Sequence, residues 1–161
     1  MVEHQLHGLR ALRRIANRAI LEASRLSSPN VEAEHVLLAL ASEASGATTR
    51  TMVDEGLSYQ AIDDALRREH EQSLRAAGIE PVDESRLVST RRRGRPGWGA
   101  SAKEAFTRAS HGAGRGRSRH RIQEFDLLLG VLQANLGTVP RALQIAGFDR
   151  AQLLSRLQAA R

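Results

Sequence analysis

The sequence predicts an all-α protein of eight helices, built as two related four-helix units, and three observations carry that expectation. Apolar residues recur at spacings of three and four over much of the chain, the period of a helix that buries one face. Sliding the sequence by 91 positions lays residues 31–66 over 122–157, apolar on apolar and glycine on glycine. Of 161 residues only five are aromatic, so the core must be Leu, Ile, Val and Ala, which suits small helices packed closely.

The repeat is clearest in the tract Val31-Glu32-Ala33-Glu34-His35-Val36-Leu37-Leu38-Ala39-Leu40, which falls on Ile122-Gln123-Glu124-Phe125-Asp126-Leu127-Leu128-Leu129-Gly130-Val131. The same shift brings Gly46 to Gly137, Arg50 to Arg141, Met52 to Leu143, Gly56 to Gly147, Leu57 to Phe148, Ile62 to Leu153 and Leu66 to Leu157. No gap is needed from 10 to 67. Internal self-similarity of this kind is the mark of a duplicated helical module. The units are repeat one at 8–72, a linker at 73–99 and repeat two at 100–160, together one domain spanning 1–161.

Each helix has local reasons. Leu12, Ile15, Ala16, Ala19, Ile20 and Ala23 make one apolar face of a helix reaching about Leu26. Ser27-Ser28-Pro29-Asn30 stops it, because proline cannot continue a helix and disfavours helical geometry in the residue before it. Glu32 and Glu34 then stand in the first turn of a second helix, where carboxylates complement the positive end of the dipole, and Val36, Leu37, Leu38 and Leu40 are its buried part. Gly46 ends that helix. A third, short helix carries Met52 and Val53 and closes at Gly56 in a left-handed C-cap. Ser58 caps a fourth helix that buries Ile62 and Leu66.

The second copy follows the same scheme. Its first helix opens at Ala102-Lys103-Glu104-Ala105-Phe106 and then meets Gly112, Gly114 and Gly116, each worth roughly 1 kcal/mol against a helix relative to alanine. Early fraying is expected there. Its last helix starts at Asp149 with Gln152 three residues on, a capping-box pattern. Between the copies, Gly78, Pro81, Gly94, Pro96 and Gly97 mark a surface linker.

The net charge of +6 is unevenly placed. Residues 86–121 hold eleven basic side chains against Glu104 alone, and 23 of the 24 basic residues in the chain are arginine. Arg91, Arg92, Arg93, Arg95, Arg115, Arg117, Arg119 and Arg121 form a candidate strip for an anionic partner, nucleic acid included, or an ordinary solvated loop. Arginines without interleaved aromatics give phosphate contacts and poor base readout, so nucleic-acid regulation is the alternative function rather than the first.

Several chemistries are excluded by what the chain lacks. Without cysteine there is no disulfide, zinc ribbon or thiol nucleophile. No apolar run is long enough for a membrane span and the N-terminus turns polar at once, so no membrane partner and a cytoplasmic location are expected. The only lysine is Lys103, and no glycine-rich segment ends in Gly-Lys-Ser/Thr, so no P-loop and no ATPase are expected. The Gly112–Arg117 tract lacks the preceding strand and following lysine of a phosphate-cradling loop. His4 and His7 have no third ligand in view, Glu34-His35 lacks the second histidine of a zinc-protease motif, and Ser101, Ser110 and Ser118 have no nucleophile-elbow context. The expectation is a protein that is not an enzyme and binds no metal or cofactor.

The tract from Val31 to Leu40, with its Glu34-His35-Val36-Leu37-Leu38-Ala39-Leu40 core, the short helix ending in Gly56-Leu57 and the duplication of both, resembles the N-terminal repeat domain of Clp-type AAA+ unfoldases. The resemblance covers about residues 8–160. It implies a pseudo-twofold pair of four-helix repeats that receives substrates and adaptor proteins for an ATPase ring, and so a non-catalytic protein-binding module with Clp substrates, adaptors or Clp ATPase subunits as partners. The chain stops at Arg161, where the family's ATPase modules normally begin, so a free-standing or excised domain is expected. In the ClpC-type branch the Glu of the Glu-His pair and its repeat-two equivalent are implicated in holding phosphoarginine. A carboxylate accepts the guanidinium in a forked geometry while positive helix ends take the phosphate. Here Glu34 and His35 match in repeat one, but Phe125 and Asp126 stand in repeat two. The aromatic-Thr pair that opens each family repeat is replaced by Gly8-Leu9 and Gly99-Ala100. Family members are also targets of cyclic peptides, which makes a cyclic-peptide ligand the second expectation, with this chain as a decoy.

Overall fold

The computed structural model describes residues 2–80, 94–113 and 122–159, and over these it is all-α but for one two-residue strand pair. The elements are α1 (Val2–Arg25), β1 (Asn30–Val31), α2 (Ala33–Glu43), α3 (Gly46–Asp54), α4 (Tyr59–Ala76), β2 (Gly97–Trp98), α5 (Ala100–Ala113), α6 (Glu124–Leu132), α7 (Thr138–Ile145) and α8 (Arg150–Ala159). Two helices are central. In α2 every residue from Ala33 to Leu40 except Glu34 is buried, and in α6 every residue from Glu124 to Leu132 except Phe125. The closest helix pairs are α1 on α2 and α5 on α6, while α4 packs on α7 and α2 on α6. A single core of Leu, Ile, Val and Ala runs through all of them.

Local chemistry accounts for the boundaries. Ser27, at φ 54°, ends α1 with Ser28 N–H bonded back to Ala23 O at 2.8 Å. Ser58 Oγ accepts Ala61 N–H at 3.2 Å, the cap that its position at the head of α4 calls for. Asp149 Oδ1 accepts the N–H groups of Ala151 and Gln152, and Gln152 turns to Arg156.

Hydrogen bonds recur at the 91-residue offset. Glu32 N–H donates to His35 Nδ1 and Gln123 N–H to Asp126 Oδ2, both at 2.9 Å, so two capping boxes built from different side chains head α2 and α6. After α3, Leu57 N–H bonds Met52 O and Gly56 N–H bonds Val53 O; after α7, Phe148 N–H bonds Leu143 O and Gly147 N–H bonds Gln144 O. These are two Schellman ends, each with its glycine in the left-handed region at φ 75° and 83°.

The first helices depart from that offset. Ile15, Ala19 and Ala23 on α1 correspond in burial to Ala105, Ala109 and Ala113 on α5, a separation of 90. The ungapped alignment from 10 to 67 is therefore one residue out of step with burial over α1. Within α3, Met52 is buried and Val53 is 62% exposed, because a nine-residue surface helix turns only one face inward. Two further boundaries differ from expectation. The stretch assigned to a linker is structured at both ends: α4 continues through Ala76, and Gly97 and Trp98 pair in parallel with Asn30 and Val31. Gly46 opens α3 rather than closing α2.

The α5–α6 crossing is tight. A Cβ added to Gly130 would lie 2.3 Å from Ala105 O and 3.0 Å from Ala109 N, so only glycine fits there. Arg108 Nε donates to Gly130 O at 2.7 Å across the same crossing. Trp98 meets Phe106 edge-on at 5.7 Å between ring centroids, anchoring β2 to α5.

Candidate ligand site at the seam between the two halves

Among the described residues, four of the polar links between the α1–α4 half and the α5–α8 half are hydrogen bonds accepted by a glutamate. Glu32, the N-cap of α2, extends its carboxylate to the head of α5, where Ser101 N–H and Oγ–H donate to Oε2 at 3.2 and 2.5 Å. Ser101 Oγ in turn accepts Ala33 N–H at 2.8 Å, so the two helix starts satisfy each other. Gly99 makes room: a Cβ there would fall 1.9 Å from Glu32 Oε1. On the other side Glu124, heading α6, accepts Ser45 N–H at 2.9 Å at the start of α3. Glu69 of α4 accepts Arg141 Nε of α7 at 2.8 Å and Ser73 Oγ–H at 2.8 Å. Arg156 of α8 donates to Glu55 at 3.3 Å.

Glu34 lies within the field of two of these links, Glu32 and the Glu69–Arg141 pair. It lies in the first turn of α2, half-buried, where α2 approaches α4 and α7. Its carboxyl is pushed above the usual range chiefly by burial. Its own backbone N–H pulls the other way, the charges of Glu32 and Glu69 push further up, and Arg141 offsets part. Among the described residues no other side chain donates a hydrogen bond to it. The neighbourhood is thus three carboxylates, Glu32, Glu34 and Glu69, facing one guanidinium that Glu69 already engages. Such a field favours an incoming cation. The head of α5, a natural seat for an anion, is occupied by Glu32 itself.

His35 has a different part. It is 2% exposed, its Nδ1 takes Glu32 N–H, and burial lowers its pKa to about 4, with the nearby charge of Arg25 lowering it and those of Glu32 and Glu22 working against that. It is a neutral cap turned inward, so of the Glu34-His35 pair only the carboxylate reaches the surface. In the second half Phe125 takes the position of Glu34 and packs half-buried against the core, while Asp126, 6% exposed, holds Gln123 N–H.

A second charged group is satisfied within the fold. Glu22, 1% exposed, accepts Arg18 Nε and Arg25 Nε at 2.8 Å and Tyr59 Oη–H at 2.9 Å. Arg25 also donates to Asp63 at 2.6 Å, tying α1 to α4. Burial alone would lower the pKa of Arg25, but Glu22 and Asp63 outweigh it and hold the guanidinium charged.

Of the arginine strip, Arg95 is exposed just ahead of β2; Arg91, Arg92, Arg93, Arg115, Arg117, Arg119 and Arg121 lie outside the described residues, as do Gly114, Gly116 and the side chains of His4 and His7. Lys103 is exposed on α5. Among the described residues no three His, Asp or Glu side chains gather as a metal site, and no helix is long and apolar enough to cross a membrane. Sequence reasoning gave no site role to Glu32, Ser101, Glu69 or Arg141. Glu32 alone carried a signal, standing three residues before a histidine at a helix start. No family profile matches the chain, and no curated protein matches it.

Proposed function

We propose that this chain is a non-catalytic protein-binding module of a Clp-type unfoldase and protease system, two pseudo-twofold-related four-helix repeats in the cytoplasm that recognise substrates or adaptors. The observation that carries the reading is the Glu34 carboxylate, half-exposed at the seam in negative surroundings and free to accept a guanidinium. The hydrogen bonds recurring 91 residues apart support the duplicated architecture on which the resemblance rests. With Phe125 in place of a second glutamate, repeat two offers no equivalent acceptor, so one ligand is taken per chain.

The ligand is an arginine side chain of a partner protein or cyclic peptide, and the phosphorylated form meets an obstacle. Its phosphate would compete with the Glu32 carboxylate for Ser101. Calorimetric titration with an arginine peptide and its phosphoarginine counterpart tests this. Glu34→Ala should weaken both by roughly ten- to hundredfold, the effect of losing a charge-assisted hydrogen bond of about 1.5–3 kcal/mol. Glu32→Ala should favour the phosphorylated peptide selectively. Affinity should also fall on acidification earlier than for an ordinary carboxylate, because the Glu34 carboxyl is raised. Unchanged affinity in Glu34→Ala rules the site out.

A further inference from the structure

The outward side of α1 is crowded with guanidinium groups that the seam does not use. Arg10, Arg14, Asn17 and Leu21 succeed one another at spacings of four, three and four, so they share one helix face, with Arg13 at its edge. Arg10, Arg13 and Arg14 are exposed, and the opposite face of the helix, Ile15, Ala19 and Ala23, is buried against α2. Arg14 lies 3.8 Å from Glu124, and among the described residues no carboxylate pairs with Arg10 or Arg13. The only acid between Arg10 and Arg25 is Glu22, turned inward at 1% exposure and shared by Arg18 and Arg25. At the far end of this face, past Arg14 and Asn17, Leu21 is 61% exposed.

We propose that the outer face of α1 is a docking surface for an acidic amphipathic segment of a partner protein, whose carboxylates meet Arg10, Arg13 and Arg14 and whose apolar side chain covers Leu21. Charge complementarity sets the sign of the partner: between Arg10 and Arg25 the face carries three exposed cations and no exposed acid. Leu21 sets its class. Protein interfaces combine an apolar centre with surrounding arginine, whereas a phosphate backbone would leave the leucine in water. No aromatic side chain lies between Arg10 and Arg25 to stack a base. One exposed leucine between Arg10 and Arg25 is also too little apolar surface to hold that stretch in a lipid interface. This surface is separate from Glu34 and does not depend on that reading.

The test uses a fluorescent synthetic peptide with glutamates on one helical face and leucines on the other, followed by anisotropy with the full chain. Controls are the same peptide with serine for leucine, short duplex DNA and anionic vesicles. Saturable binding to the Glu/Leu peptide is expected, weakened about tenfold by Arg10→Glu with Arg13→Glu and about tenfold by Leu21→Ser, the scale of a lost interface arginine pair or a buried leucine. The milder Arg10→Gln with Arg13→Gln, checked by circular dichroism, separates lost docking from lost folding. No binding, equal binding of the serine peptide, or tighter binding to DNA or vesicles with Leu21 indifferent would each overturn the proposal.

Discussion

Acid should weaken this fold through one histidine. His35 is buried and neutral, its Nδ1 accepts Glu32 N–H at 2.9 Å, and its pKa falls from 6.5 to about 4. Protonation would cost the acceptor that heads α2 and place a charge among Leu and Ala side chains. Because the folded-state pKa lies below the unfolded one, the unfolded chain binds more protons between them. Stability is therefore complete above about pH 6.5 and is lost as the pH falls toward 4. At about 1.4 kcal/mol per tenfold of proton affinity the full loss is about 3 kcal/mol, of which about 2 kcal/mol is gone by pH ~5. Urea denaturation at neutral pH and at pH ~5 measures it, with His35→Asn as the control. The asparagine carbonyl can still accept the Glu32 N–H but does not titrate. The wild type should lose about 2 kcal/mol more than the variant over that interval. Equal losses would show that the histidine is not the acid-sensitive group and that its neutral capping role is misassigned.

Further substitutions probe the packing. Gly130→Ala forces a methyl against Ala105 O and should destabilise by about 1–3 kcal/mol, read as a lower denaturation midpoint at unchanged slope. Gly99→Ala displaces the Glu32 carboxylate from Ser101, so its cost should shrink when combined with Glu32→Ala; a double-mutant cycle should return a coupling of about 0.5–3 kcal/mol, and strict additivity would contradict the geometry. Met52→Ala should cost about 2–5 kcal/mol because the side chain is 2% exposed. Its neighbour Val53→Ser, on the exposed face, should stay within about 0.5 kcal/mol.

The helices were legible in the sequence because their determinants are local. The four-residue spacing of Ile15, Ala19 and Ala23, the Ser58 cap and the Gly56 turn each act within a few residues, and the structure places them as read. Val36, Leu37, Leu38 and Leu40 are buried in α2 as read, and Ala33, His35 and Ala39 join them. What the sequence hid was long-range. Nothing near residue 32 announces that its carboxylate will cap a helix 69 positions away, and Glu69–Arg141 spans a similar distance. The one-residue register difference between α1 and α5 was equally hidden. Both helices are rich in small residues, and alanine on either side of a slipped alignment looks alike until burial distinguishes them. His35 looked like half of a ligand pair because adjacency in sequence does not reveal that neighbouring helical residues point in different directions.

Whether Glu34 is a ligand site is settled most directly by a two-dimensional amide NMR titration with an arginine peptide and its phosphoarginine form. Binding at the seam should shift Glu34, Gly99, Ser101 and Arg141 first and saturably, leave Phe125 and Asp126 until last, and vanish in Glu34→Ala. Shifts that begin around Phe125 and Asp126, or none at millimolar peptide, would contradict it and leave Glu34 an ordinary helix-start carboxylate.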